Sequence, residues 1–276
     1  IIHIYSFLML FVGVLSAQFD NQNNIAGGRA HSLVLMPNGT VVAWGENQNY
    51  QYGQTDVPDG LSGVVAIAAG LYHSLALTSS GDVIAWGRDE FGVIDVPEGL
   101  SDVVAISGGQ FHSLALTASG NVIAWGDNLY GETDVPDELA DVNVRAIAAG
   151  GNHSLALTTS GEVVAWGRNN DGQINVPDGL ENVVKIAAGG QNNSRSHSLA
   201  LTESGNVVAW GSGHSGQTNV PDGLSDVVAI SAGDHYSLAL TASGDVVGWE
   251  DSYNQTDMPS ELEDVIAIAA GGNHTL

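Results

Sequence analysis

Short apolar runs bounded by Gly, Ser, Asn or Asp alternate along this chain with polar stretches, and no segment of useful length keeps a helical period. In residues 62–100 the order is SGVVAIAAG, HSLALT, the turn-forming SSGD, VIAWG and then the longer RDEFGVIDVPEGL. Side chains alternate between faces along a strand, so Leu75 and Leu77 share one face of HSLALT while Ser74 and Ala76 share the other. Ile84 and Trp86 fall together in the return run. The intervening glycine supplies the positive φ of a tight connection. The pattern predicts a β-hairpin preceded by a further β-rich run.

This unit recurs. A His or Tyr opening (H/Y)SL(A/V)L is followed thirteen residues later by a Trp at His31 and Trp44, His73 and Trp86, His112 and Trp125, His153 and Trp166, His197 and Trp210, and Tyr236 and Trp249. A slip of one residue would turn every side chain of a strand to the wrong face, so a constant interval marks a rigid unit. The slack lies outside the hairpin. Pro58, Pro97, Pro136, Pro177, Pro221 and Pro259 each close a (D/N)(V/M)P triplet, which places them on an edge strand or just beyond one. Four short strands in a period of about forty residues is the arithmetic of a propeller blade, and Ala68, Ala69 and Gly70 suit its crowded centre.

The expected fold is therefore an all-β, β-propeller of blades about forty residues long. The AG-x-x-H element begins a last time near His274, so seven blades are expected, with the repeats running over 25–276 and stopping within the seventh. The sixth copy departs from the rest through Tyr236, Gly248 and Glu250.

The pattern VVAIAAG-x-x-HSLALT-x-x-G-x-VVAWG-x-N-x-x-GQ resembles the repeat of the regulator of chromosome condensation family, over about residues 25–276. The resemblance implies a seven-bladed propeller. The short period and the GQTDVP linker are similar to the bacterial secreted members, among them the β-lactamase inhibitory proteins of the second type, which bind an enzyme through loops on one face. Family analogy alone also suggests a guanine-nucleotide exchange factor.

The apolar run Phe7 to Leu15, followed by Ser16 and Ala17, reads as the core and cleavage site of an N-terminally truncated secretory signal over residues 1–17. Residues 18–24 form a polar lead-in. The run is too short to span a bilayer, so the expected location is secreted, periplasmic or cell-surface. Six Lys and Arg against 31 Asp and Glu give a formal net charge of -25, which repels phosphate backbones and excludes nucleic acid as the expected partner. Without cysteine there is no thiolate or disulfide chemistry.

The motifs that invite chemistry do not sustain it. Gly211, Gly213 and Gly216 spell a dinucleotide turn, but Asn219, Val220 and Pro221 follow where a helix is required. A histidine repeated around a ring reads as a hydrogen-bonded strand-start residue, and the equally repetitive serines lack a separate base and orienting acid. No catalytic residue, cofactor or enzymatic activity is expected. Loops 127–134 and 168–175 offer oxygen donors to calcium without the spacing of a calcium loop, a weak signal, and no metal site is assigned. The sequons at Asn38, Asn152, Asn192, Asn254 and Asn273 matter only in a glycosylating host.

Differences between the copies carry the functional signal. The positions just before each His or Tyr include Arg29, Tyr72, Gln110, Phe111, Asn152, His235 and Asn273, and a longer insertion before His197 carries Arg195. A second variable set after each Trp holds Tyr50, Tyr52, Phe91, Tyr130 and Tyr253. Equivalent positions of a propeller fall on one rim, and aromatic residues anchor interfaces, so these residues are the expected partner-binding set. The expected partner is a protein. A glycan would use similar pockets in every blade, whereas these aromatics are irregular.

Overall fold

The computed structural model describes residues 24–45, 52–191, 194–249, 255–259 and 262–276. The proposed signal segment, 1–17, lies outside them. Among the described residues, six antiparallel sheets of three strands follow one another along the chain, each in sequential strand order. They comprise Ile25–Gly27, His31–Leu35 and Val41–Gly45; Val64–Ala69, His73–Thr78 and Val83–Gly87; Val103–Gly108, His112–Thr117 and Val122–Gly126. Then come Val144–Ala149, His153–Thr158 and Val163–Gly167; Val183–Gln191, Ser194–Thr202 and Val207–Gly211; and Val227–Ala232, Ser237–Thr241 and Val246–Trp249.

Among the described residues each blade has three strands where the period suggested four. After the Trp-Gly pair the chain makes successive turns, with Asp56 N–H donating to Gly53 O (2.9 Å), Val57 to Thr55 O (3.1 Å) and Leu61 to Pro58 O (3.2 Å). Backbone donors spent on local carbonyls, beside a proline that has none, leave no ladder for a fourth strand.

The constant interval fixes the hairpin register. Ser74 stands opposite Trp86, Ser113 opposite Trp125, Ser154 opposite Trp166 and Ser198 opposite Trp210. The middle strand of each blade is buried on both faces, because consecutive blades pack against it from either side. Trp125 of the third blade accordingly shares a cluster with Leu75, Leu77 and Val83 of the second. The core lies in the joints between blades. Trp44 is the exception: it is 42% exposed, against 6% for Trp86.

Residues 262–276 supply a seventh segment, with a bridge between Ala270 and Thr275. It meets the first blade through Gly272 N–H to Gly28 O (2.9 Å) and Asn273 N–H to Arg29 O (3.1 Å), so the two ends of the array touch. Seven inner segments surround a central cavity of about 150 Å³. Its wall is built from small residues for a steric reason: a Cβ at Gly150 would lie 2.4 Å from Cε1 of His153. Among the described residues no helix is long and apolar enough to cross a membrane.

Candidate interaction rim

Two belts of side chains explain the invariant positions. His31 Nε2 lies 3.1 Å from Ser74 Oγ of the next blade, and the same bond joins His73 to Ser113 (3.0 Å) and His112 to Ser154 (3.0 Å). His153 reaches Ser198 (2.9 Å), His197 reaches Ser237 (2.9 Å), and His274 reaches back to Ser32 of the first blade (2.8 Å). Where the sixth copy has Tyr236, its hydroxyl lies 3.1 Å from Gly271 O and 2.6 Å from His274 O.

The serines settle the histidine tautomer. Ser74 Oγ donates to Gln54 O (2.8 Å), the carbonyl that also accepts from Trp86 Nε1 (3.0 Å). Ser154 and Trp166 likewise converge on Glu132 O, and Ser198 and Trp210 on Gln173 O. A hydroxyl has one proton, so each of these serines accepts from His Nε2–H, and it is burial that keeps the ring neutral with its proton on that nitrogen. Burial, reinforced by neighbouring histidines, holds His73 and His153 down at about 3; burial likewise holds His31, His112 and His197 at about 4. These histidines lock blades together. Among the described residues, no group of three or more His, Cys, Asp or Glu converges as a metal site.

The variable residues gather at the opposite end from the hairpin turns. Arg88 N–H donates to Tyr72 O (2.9 Å), Asp127 N–H to Phe111 O (2.8 Å) and Arg168 N–H to Asn152 O (2.9 Å), which pins the residue after each Trp-Gly beside the residue before each His. Both variable sets therefore share the open end of every hairpin. Tyr52 and Tyr72 meet with ring centroids 5.0 Å apart, and Phe91 meets Phe111 edge-on at 5.5 Å. Arg29 hydrogen-bonds the Tyr72 hydroxyl and lies 5.7 Å from its ring.

Three features of this rim were not anticipated from the sequence. Arg88 stacks over Tyr52 (4.4 Å) and Tyr72 (5.5 Å), and Arg168 over Tyr130 (4.9 Å). Leu129 stands exposed between Phe111 and Tyr130 along the chain. The signal for the arginines was the varying residue after Trp-Gly. Gln110 and Asn152 are buried, in contrast to the exposed Phe91. Arg195 and His235 lie close enough for the guanidinium to help burial lower the imidazole pKa. Asn273 is exposed beside the first blade, while Tyr50 and Tyr253 lie outside the described residues.

Beneath the rim, Glu132 occupies the linker position that Gln54, Gln173, Gln217 and Gln255 hold in other blades. Its Oε2 accepts from Tyr130 N–H (2.7 Å), as Gln217 Oε1 accepts from Ser215 N–H (3.0 Å). The second arm differs: Gln217 Nε2 donates to Arg195 O (3.1 Å), whereas Glu132 Oε1 is buried without a partner. Burial pushes this carboxyl above the usual carboxylate range. The folded state then holds the proton more tightly than the unfolded chain, so this group costs stability as pH rises above its ordinary value. Glu132→Gln is expected to raise stability at neutral pH by about 1 kcal/mol, with a smaller gain near pH 4, as thermal melts at both would read.

Similarity to known proteins agrees with this architecture. Human WBSCR16 is 21% identical with a TM-score of 0.71, covering 91% of this chain and 84% of its own. Prp20p from Saccharomyces cerevisiae, described with its binding to Gsp1p and histones, is 22% identical with a TM-score of 0.72 over 91% of this chain and 80% of its own. The CRINKLY WD40 ectodomain of the Arabidopsis thaliana receptor kinase ACR4 is 22% identical with a TM-score of 0.67, over 90% and 88%. At these identities the likeness is one of fold. No curated protein matches the chain. The model of the RCC1-like domain matches residues 12–276, and with its ring of repeats the chain belongs to the RCC1-like domain family.

Proposed function

We propose that this protein is a secreted, non-enzymatic propeller that binds another protein through its rim. The observation that carries the reading is the convergence of two independently variable loop sets on one edge, where Arg29, Tyr52, Tyr72 and Arg88 stack together and Phe91 meets Phe111. Large rings bury much area at little entropic cost, which is how interface anchors act. The description of Prp20p as a binder of Gsp1p and histones supports a protein partner by analogy of fold. Secretion rests on the apolar run from Phe7 to Leu15 and the small residues after it. Inhibition of a β-lactamase is no part of this reading, because the rim side chains differ from copy to copy.

A glycan reading is less well supported. The position held by Tyr52, Phe91 and Tyr130 becomes Asp171 and Ser215 in the next two blades, so no aromatic pocket repeats. Affinity capture from the extracellular fraction of the native source, with wild-type protein beside the Tyr72→Ala, Phe111→Ala double variant, tests the proposal. Loss of two such anchors is expected to weaken retention of a specific partner by tenfold or more, roughly 1.4 kcal/mol or above. Retention of the same proteins with unchanged affinity by the variant would place the interface elsewhere.

A further inference from the structure

We infer that the rim from Arg29 to Leu129 receives a protein segment carrying an apolar side chain next to carboxylates, an inference that rests on the rim being the binding face.

The apolar part is visible in exposure and in backbone strain. Phe91 is 56% exposed and Leu129 72%, where the chain has every opportunity to place polar residues. Phe91 also has a φ of 60°. The other described non-glycine residues with positive φ are Asp102, Asn182, Asp226 and Asp264, whose short polar side chains tolerate that region, and Arg195, which is itself on the rim. The two side chains least suited to a left-handed backbone thus both stand among the variable binding loops. Strain of this kind persists where a side chain must be presented in one direction, and it points to function.

The acidic part follows from where the cations are. The chain has six Lys and Arg, and four of them, Arg29, Arg88, Arg168 and Arg195, lie in the rim loops. Arg29 and Arg88 both approach the ring of Tyr72, at 5.7 and 5.5 Å, so two positive charges crowd one tyrosine. Arg88 is neutralised by Glu90 at 2.6 Å. Among the described residues Arg29 has no carboxylate within ion-pair distance, although the chain holds 31 of them. Its guanidinium is held instead by a phenol, positioned in advance with donors in the fork that fits a carboxylate.

Arg88 and Phe91 leave the same loop, so the cationic and apolar parts of the surface are continuous. A basic segment would meet guanidinium groups at this place, and a wholly apolar one would leave Arg29 unpaired beneath it. An acidic side chain near Arg29, with an apolar neighbour against Phe91, Phe111 and Leu129, satisfies both.

Selection of a random dodecapeptide library displayed on filamentous phage, against the immobilised full chain at low salt, tests the partner chemistry. Enriched peptides are expected to place Asp or Glu within a few residues of Phe, Leu or Trp. Their retention should fall roughly tenfold or more on the Phe91→Gly variant and on the Arg29→Gln, Arg88→Gln variant. Phe91→Gly relieves the left-handed strain but removes the edge contact with Phe111, so its melting temperature is expected to stay close to that of the wild type; binding lost in an equally stable protein is not misfolding. Enrichment of basic or purely apolar peptides, retention that survives both variants, or no enrichment above a blocked surface would each overturn the inference. If native partners depend on Tyr72 and Phe111 while the selected peptides lack acid, only the partner chemistry fails. If native capture is also independent of those two rings, the rim itself is wrong.

Discussion

Acidification from pH 7 towards pH 4 is expected to remove much of the stability of this propeller, beginning well above the range where carboxylates titrate. His31, His112 and His197 are held at about 4 and His73 and His153 at about 3, chiefly by burial, while the unfolded chain protonates near 6.5. Below 6.5 the unfolded state binds more protons than the folded one, so stability falls with pH at up to about 1.4 kcal/mol per unit for each histidine. The contribution is fully present above 6.5 and is lost progressively down to the folded values. The five sites act together, so the total reaches on the order of 10 kcal/mol by pH 5.

A competing effect works in the other direction. The formal net charge of -25 makes the native state self-repelling, and protonating carboxylates relieves that repulsion. It acts mainly near pH 4, whereas the histidines act from 6.5 downwards, which separates the two. Calorimetric melting temperatures taken in half-unit steps at constant ionic strength provide the measurement. A melting temperature that stays level between pH 6.5 and pH 5 would mean that the belt is not the buried neutral array described.

The second large effect is steric. Gly150→Ala is expected to cost about 3 kcal/mol, because its Cβ would lie 2.4 Å from Cε1 and 2.7 Å from Nδ1 of His153, and the ring is fixed by its bond to Ser198. The third contact, with Ala188 Cβ at 3.1 Å, is milder. His153→Ala alone is also destabilising, since Ser198 loses its donor and a cavity opens. The double variant should be clearly less damaged than the sum of the two, because the new methyl enters space the imidazole has left. Urea unfolding of the four proteins completes the cycle. Simple additivity would show that the clash is relieved by backbone movement instead.

These two predictions rest on features of unequal visibility in the sequence. The thirteen-residue interval determines that Ser74 faces Trp86, since both lie a fixed distance from the same turn, and the all-β architecture follows from that hairpin and its period. The common carbonyl that receives Ser74 and Trp86 could not be read in the same way. It belongs to Gln54, in the linker of the preceding blade, and its use depends on how blades stack. The expected fourth strand failed for a local reason, because the linker spends its donors on its own turns.

The rim was only partly legible. Tyr72 and Phe111 stood out because they vary beside an invariant His, yet Gln110 and Asn152, chosen by the same rule, are buried. A variable position next to a strand can face either side of a turn, and a periodic pattern does not choose between them. Arg88 and Arg168 escaped notice because their partners are Tyr72 and Tyr130, in neighbouring loops, and cation–π contacts leave no spacing signature.

Tyr236 gives the ring a joint of a different kind. Its hydroxyl is bonded to the carbonyls of Gly271 and His274, and a phenol gains no charge in acid. Six joints, the closing one from His274 to Ser32 included, therefore share a proton-triggered weakness that the junction of the sixth blade with the seventh segment does not share through its own phenol. The circle is chemically unequal: as protons accumulate, the cost falls on the histidine seams and spares the tyrosine bond.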